Sequence, residues 1–449
     1  LSPPLGGLFY FMPTAYLYKK ISMKVLLLGS GGREHAMAQK ISESPLLTKL
    51  FIAPGNPGTS LVGENVLLDI NNFEAVGNLV KEKAIDMVVV GPEEPLVKGL
   101  GDYFKKDPEL IDVAFIGPCA DGARLEGSKD FAKHFMQKYG IPTARYQTFN
   151  PETIIDGYAF IHSLRAPYVL KADGLAAGKG VIILSDIVAA KNALKEMLDG
   201  QFGEASRRVV IEEFLTGIEL SVFVLTDGKN YVVLPEAKDY KRVGEGDVGL
   251  NTGGMGAISP VPFADRVFME KVEKRIIKPT LLGLNSENIS YTGFIFFGLI
   301  NVEGEPFVIE YNVRMGDPES EVVFPRITGD FLSALQASAR GTLRNDALAS
   351  SKKLACTVMA VSGGYPEKFE KGFKVDGLER PVQDGFIYQA GTTFGINHCV
   401  ITSGGRVITA TGLGISLVEA VTNAYKNLGQ ISFENMYYRK DIGYEFLGN

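Results

Sequence analysis

With 449 residues, 45% of them hydrophobic, the chain is long enough for about three domains, each able to bury its own core. Its 52 acidic and 46 basic residues leave a net charge of −6. Without long single-sign blocks, that balance argues against a nucleic-acid binder or a polybasic membrane protein. Cys119, Cys356 and Cys399 form no C-x-x-C pair and the four histidines are scattered. Free thiols in a reducing, cytoplasmic setting are therefore expected, and zinc is not.

Leu5 to Tyr18 is apolar and aromatic, but it is too short to cross a membrane and Pro13 interrupts it. Lys19-Lys20 follow it, where a signal peptide carries its charge in front. Residues 1–22 are expected to be an upstream extension or an artefact, with Met23 the natural start. From there strands and helices alternate, which predicts a parallel sheet in an α/β domain. Lys24 to Leu28 reads as a buried strand, followed by Gly29-Ser30-Gly31-Gly32-Arg33-Glu34-His35 and a helix to about Ser42. Further strands are expected near Leu50 to Ala53, Asp86 to Val90 and Val113 to Ile116. Ligands of such sheets gather at the carboxyl ends of the strands. There lie the glycine-rich turn with Arg33, Pro54-Gly55-Asn56-Pro57-Gly58, and Gly91-Pro92-Glu93-Glu94. The turn is not a full G-x-G-x-x-G fingerprint, since Glu34 stands in place of the last glycine. A tight strand-to-helix turn and an anion site at a helix N-terminus both remain open.

A helix is expected from Leu125 to Gly140, with Ser128 and Lys129 near its start. Next comes the most distinctive stretch, Tyr168 to Leu184: two β-rich runs flank Lys171-Ala172-Asp173-Gly174-Leu175-Ala176-Ala177-Gly178-Lys179-Gly180. It fails the P-loop pattern, because Gly174 to Gly178 is one residue short, Gly180 replaces the Ser or Thr, and a strand follows. It reads as a hairpin with a glycine-rich tip. Gly174, Gly178 and Gly180 let backbone N–H groups approach an anion, and Lys171 and Lys179 add charge. A helix over Asp186 to Leu198 and strands over Arg208 to Phe214, Glu219 to Leu225 and Tyr231 to Leu234 follow. Two adjacent glutamates, Glu212 and Glu213, break an apolar run, so at least one is expected to point into a site.

Ala237 to Gly256 is glycine-rich, charged and long enough to be a lid or binding loop. One long helix, Ala264 to Leu284, is expected, then strands over Tyr291 to Asn301 and Pro306 to Asn312. Period-two alternation puts Glu310, Asn312 and Arg314 on one face. Glu310 and Asn312 suit Mg²⁺, which takes few protein oxygens and keeps water and phosphate ligands. Arg314 could grip a phosphate or carboxylate in two-pronged fashion. The last hundred residues read as a smaller α/β unit closing one wall of the cleft, with no ligand cluster of its own.

Taken in order, GSGGREHA, APGNPGT, VGPEEPLVKG, LEGSKDFAK, KADGLAAGKGV, IEEFLTGIE, NTGGMGA, YTGF, GDPE and RKDIG resemble the ATP-grasp superfamily and, within it, the phosphoribosylamine-glycine ligases. The resemblance runs from Met23 nearly to the C-terminus. It implies a Rossmann-like N-terminal domain (23–122), a two-subdomain ATP-grasp core (123–345, mobile lid about 142–212) and a small C-terminal α/β domain (350–449). It implies ligation of glycine to 5-phosphoribosylamine with ATP and Mg²⁺ or Mn²⁺, through glycyl phosphate. A monomer with small-molecule substrates is expected, without nucleic acid or membrane.

By the same resemblance Lys129 and Lys171 contact ATP phosphates, and Gly174, Gly178, Lys179 and Gly180 form the closing loop. Glu212 with Phe214 and Leu215 forms the adenine linker, and Glu219 holds the ribose. Glu310 and Asn312 bind the metal, while Lys171, Arg314 and Asp239 are catalytic. Gly31, Gly32, Arg33, Glu34, Asn56, Glu93 and Asp317 line the phosphoribosylamine pocket. Lys238-Asp239-Tyr240-Lys241-Arg242 and Val248-Gly249-Leu250 depart from the commoner family spelling and touch only lid detail. A sibling ATP-grasp ligase and a nucleotide-sensing module are the rival readings. The lid NTGGMG and the GPEEPLVKG turn weigh against the first, and the retained lysines and metal pair against the second.

Overall fold

The computed structural model describes residues 22–176 and 180–448. Its first sheet joins β1 (Met23–Gly29), β2 (Leu47–Pro54), β3 (Glu64–Asn65), β4 (Met87–Val90) and β5 (Ala114–Ile116) in the order β3-β2-β1-β4-β5. All four pairings are parallel. Val25 to Leu28 and Met87 to Val90 are almost wholly buried, as strands covered on both faces must be. The order reverses at β1, so the crevice beyond the ends of β1, β2 and β4 is where a ligand fits such a sheet.

Two further sheets follow. One is antiparallel and places β6 (Tyr146–Phe149) and β7 (Tyr168–Ala172) on either side of β9 (Val209–Glu213), with β8 (Val181–Leu184) outside β7. The β7–β8 pairing, Lys171 opposite Val181, is the expected lysine hairpin. The other sheet holds β10 (Ile218–Thr226), β11 (Tyr231–Val233), β16 (Gly293–Val302) and β17 (Glu305–Asn312) in the order β11-β10-β16-β17. Its register slips between Gly298 and Leu299, which pair with Glu310 and Val308. Ile309 is the extra residue of this bulge, and the kink re-aims the end of β17.

Three expectations need correction. The helix read as Leu125 to Gly140 is two, Ala120–Gly127 and Lys129–Lys138, because Ser128 is extended and its Oγ accepts the Phe131 N–H at 3.1 Å. A serine in that role starts a helix rather than continuing one. The helix read as Ala264 to Leu284 is interrupted: Arg266–Val272 passes through a wide turn, Glu273–Ile277, into Lys278–Ser286. Pro279 has no N–H to offer the preceding turn, which accounts for the widening.

Finally, Ala237 to Gly256 is not a bare loop. It contains β12 (Lys238–Asp239), the hairpin β13 (Arg242–Gly244) with β14 (Val248–Asn251), and the start of β15 (Gly256–Ser259). β12 and β15 join the C-terminal strands Leu354–Val361, Arg406–Gly414 and Gly385–Gln389 in one sheet. The helix Leu417–Leu428 covers it, burying Leu417, Ala420, Val421, Ala424 and Leu428 at helical spacing. The C-terminal unit therefore shares its sheet with the chain that borders the site.

Candidate active site

Two cavities meet at the kinked end of β17. The larger, about 250 Å³, lies among Lys129, Lys133, Lys171, Glu212 and Gly180. The smaller, about 110 Å³, lies among Glu219, Ser221, Asp239, Lys241 and Glu319. Ile309, Glu310, Asn312 and Arg314 line both. The bulge is the reason Ile309 and Glu310, consecutive in the chain, border the same space.

In the larger cavity Glu212 is clamped between two lysines. Its Oε1 lies 3.0 Å from Lys171 Nζ and its Oε2 lies 2.9 Å from Lys133 Nζ. Burial opposes the Glu212 charge, yet Lys171 and Lys133 hold its pKa below the ordinary value. Burial also pushes Lys133 down to about 8, against the pull of Glu212. The Glu212 carboxylate is thus committed to the lysines. Phe214 is exposed and Leu215 half-buried in the β9–β10 connection that follows it.

Lys129 is mostly buried and borders the same cavity, and its Nζ has no hydrogen bond or ion pair among the described residues. Burial lowers its pKa. A cation so placed, beside a second lysine, is ready for a polyanion. Asp173 ties the hairpin base to this helix: its Oδ1 accepts from Ser128 Oγ at 2.8 Å and from Asp130 N at 2.9 Å, and its Oδ2 meets Arg208 Nη2 at 2.7 Å. Gly174 donates its N–H to Ala205 O at 3.0 Å. Gly180 lines the cavity, while Gly178 and Lys179 lie outside the described residues.

Arg314 joins the domains. Its Nη2 donates to Glu126 Oε1 at 2.9 Å and to Asn312 Oδ1 at 3.1 Å, and its Nε lies 3.4 Å from Glu93 Oε2. Glu126 Oε2 accepts the Val313 N–H at 2.7 Å, which fixes the strand end. Among the described residues no three His, Cys, Asp or Glu side chains gather as a metal cage. Glu310, with no ion pair among the described residues, and the Asn312 oxygen instead offer two hard donors on one wall. That fits a cation completing its shell with water and phosphate.

Beyond β1 the helix Gly32–Ser42 begins with Glu34 Oε2 accepting the Gly31 N–H at 2.6 Å. Arg33 Nε reaches Glu34 Oε1 at 2.6 Å and its Nη1 donates to Met315 O at 3.3 Å. A Cβ at Gly32 would meet the carboxylate end of Glu321, which would have to move. Glu93 lines the larger cavity, and burial resists its charge while Arg314 and Arg33 lower its pKa. Asn56 proves to be a brace rather than a free donor. Its amide nitrogen donates to Ser30 O and Gln389 O, and its oxygen accepts from Gly58 N and Thr59 N, which exhausts the side chain.

Glu219, expected at the ribose, borders the smaller cavity and pairs with Lys241. Asp239 and Asp317 border it too, and Asp317 Oδ1 lies 3.0 Å from Arg406 Nη1. Sequence reading missed Lys133, Glu126, Ser221, Glu319 and Arg406. Only Lys133 carried a signal, standing four residues after Lys129 on the same helical face.

Models of the phosphoribosylglycinamide synthetase N domain, ATP-grasp (A) domain and C domain match residues 23–126, 127–320 and 355–445. The chain belongs to the phosphoribosylglycinamide synthetase family. A curated relative from Caldanaerobacter subterraneus, named phosphoribosylamine--glycine ligase, is 42% identical over 94% of this chain and 99% of its own. One of the same name from Escherichia coli O157:H7 is 42% identical, covering 94% and 98%. The crystal structure of the Thermotoga maritima phosphoribosylamine--glycine ligase superposes with a TM-score of 0.81 at 35% identity, over 93% of this chain and 100% of that one. Biotin carboxylase from Campylobacter jejuni reaches a TM-score of 0.68 at 14% identity over 96% of each chain, a likeness of fold alone. The two cavities thus belong to a synthetase with an ATP-grasp core, and the family uses ATP.

Proposed function

We propose that the chain ligates glycine to 5-phosphoribosylamine, with ATP converted to ADP and phosphate, giving glycinamide ribonucleotide for purine synthesis. The observation that carries this reading is the shared wall. A lysine-lined cavity suited to a polyphosphate and a small acidic cavity open onto the same Glu310, Asn312 and Arg314, beside the capped helix at Gly31 and Gly32.

A carboxylate is a poor electrophile, and phosphorylation makes it a good one. The glycine carboxylate attacks the γ-phosphate and ADP departs, with Lys129, Lys171 and Arg314 countering the charge that develops. A Mg²⁺ or Mn²⁺ ion, held by Glu310 and Asn312, would supply further positive charge at the phosphate oxygens. The ribosylamine nitrogen then attacks the glycyl carbonyl carbon and phosphate leaves. Gly31, Gly32, Arg33, Glu34 and Glu93 orient the second substrate, with Asn56 bracing the turn. Asp239 and Asp317 complete the acidic side, and Glu219 with the Phe214–Leu215 backbone supports the nucleoside. Glycyl phosphate must be kept from water, and the closing loop expected for this at Gly174 to Gly180 lies partly outside the described residues.

The reading takes 23–122, 123–345 and 350–449 as domains of a cytoplasmic monomer. Among the described residues no helix is long and apolar enough to cross a membrane. The test is ADP release from ATP and Mg²⁺ with freshly made phosphoribosylamine. Glycine-dependent release with matching glycinamide ribonucleotide is expected; release with another acid only, or with none, would overturn the assignment.

A further inference from the structure

One buried acid has no part in the chemistry proposed above. Glu321 is 0% exposed, and neither of its carboxyl oxygens has a hydrogen-bond partner among the described residues. It belongs to the short helix Ser320–Val323, where the three parts of the chain meet. Its Oε1 is the atom closest to the place a Cβ would take at Gly32, so the carboxyl lies against the first turn of the helix Gly32–Ser42. Its backbone oxygen accepts from Thr411 Oγ1 at 3.0 Å, on the C-terminal strand Arg406–Gly414. The loop leading into it accepts Arg33 Nη1 at Met315 O, 3.3 Å away.

The elements packed around Glu321 bring Asp317 and Glu319 on its own segment, Arg33, Glu34 and His35 in the first turn of Gly32–Ser42, Arg326 in the turn after it, and Tyr388 and Arg406 on the C-terminal strands. From Gly256–Ser259 and Leu354–Val361 comes only Cys356. The cations among these groups are spent elsewhere. Arg406 Nη1 lies 3.0 Å from Asp317 Oδ1 and donates to Asp317 O at 2.8 Å. Arg33 Nε is held by Glu34, and Arg326 donates to Ser259 Oγ at 2.6 Å and to Lys353 O at 2.9 Å. His35 Nδ1 accepts the Gln389 N–H.

A carboxylate buried without a donor is costly, and the neutral acid is the form that tolerates such a place. Burial, reinforced by Asp317, pushes Glu321 well above the ordinary carboxyl range, and Arg406 offsets only part of this. Resting on the function proposed above, we infer that Glu321 is a positioning residue for the second substrate, phosphoribosylamine, and acts through the Gly31-Gly32 turn as a proton-holding acid. While neutral it lets the turn seat against Ser320–Val323. Once its proton has gone to solvent, the carboxylate demands donors that the junction does not hold, and the turn gives way.

The test compares wild type with Glu321→Gln, a side chain of the same shape that does not titrate, in steady-state ADP release by the full chain. The pH is raised from neutral through about 8–9, where buried glutamates titrate. KM of the wild type for phosphoribosylamine is expected to rise by up to about tenfold per pH unit, because only the protonated fraction holds the turn in place. Glu321→Gln should lack that component, and titration of the substrate itself is common to both proteins. KM for ATP should keep the same pH dependence in the two. Should Glu321→Gln fail to fold, Glu321→Met, also uncharged and of similar volume, takes its place.

Unfolding in urea supplies an arm that does not depend on the reaction. The folded chain keeps a proton that the unfolded chain releases above pH 4.5. This contribution to stability is therefore full below that pH and drains away as pH rises. The urea midpoint of the wild type should fall relative to Glu321→Gln with rising pH. Parallel KM profiles would overturn the positioning role and leave the ligase reading standing, and parallel urea curves would overturn the held proton beneath it. A wild type that releases no ADP with glycine would overturn the ligase reading and the positioning role with it, a failure seen before any variant is made.

Discussion

The two cavities share a wall but answer opposite charges. On one side a single carboxylate, Glu212, is held between Lys133 and Lys171, with Lys129 left over. On the other, Lys241 pairs with Glu219 and lies 3.8 Å from Asp239, with Glu319 lining the same space. The first has surplus cation, which suits a polyphosphate, and the second has surplus anion. On the function proposed above, the chemistry falls where the two fields join, at Glu310, Asn312 and Arg314, which line both cavities.

That division is tested most severely at Glu212. Replacing it with leucine leaves Lys133 and Lys171 buried without their counter-ion, and breaking a buried pair in this way costs about 3–5 kcal/mol. A large fall in resistance to urea is expected, together with loss of activity. Stability within about 0.5 kcal/mol of wild type would mean that the lysines do not need the carboxylate.

Lys171→Ala comes next. It removes one donor from the phosphate side and should cost about 2.7–4 kcal/mol of transition-state stabilisation, by analogy with the loss of an oxyanion donor. Turnover is the readout, since kcat should fall about 100- to 1,000-fold. Unchanged turnover would remove Lys171 from the charge that answers ATP.

Much of the phosphate side was legible in the chain. The hairpin of β7 and β8, the Gly31-Gly32 turn and the Glu310-x-Asn312 alternation are local patterns, written within a strand or a turn. The acidic side was not, because its members are brought together by pairing between distant strands. Ser221 and Asp239 are brought to one place by the bridge between Ser221 and Ala237, and Glu319 arrives from beyond β17. Glu212 was visible as an anomaly in an apolar run, but its partner Lys133 sits on a helix whose start at Ser128 was misplaced. The unit read as a plain wall supplies Gln389, which holds both Asn56 and His35 from 354 residues beyond the latter.

His35 lies outside both cavities and gives a pH test of the frame that holds them. Burial pushes its pKa from 6.5 down to about 4, so the ring stays neutral and Nδ1 accepts the Gln389 N–H at 2.8 Å. Between those values the unfolded chain binds a proton that the folded chain refuses, so stability is present above pH 6.5 and drains away toward pH 4. The whole step is on the order of 3 kcal/mol. Unfolding in urea across this range should show a steeper acid loss for wild type than for His35→Asn, which retains an acceptor but does not titrate. Parallel curves would mean that His35 protonates freely in the folded state.

The smallest effect is expected at Ser128, where the phosphate side is anchored. Its Oγ accepts the Phe131 N–H at 3.1 Å, capping the helix that presents Lys129, and donates to Asp173 Oδ1 at 2.8 Å, at the base of the glycine hairpin. Ser128→Ala should cost about 1 kcal/mol of stability, the usual worth of a lost cap. Because Asp173 still accepts from Asp130 N and Arg208, the hairpin base should hold and kcat should change little. A rise in KM for ATP with KM for glycine unchanged would confine the damage to the cationic cavity. Equal rises in both would mean that the two charge fields are mechanically coupled through this helix.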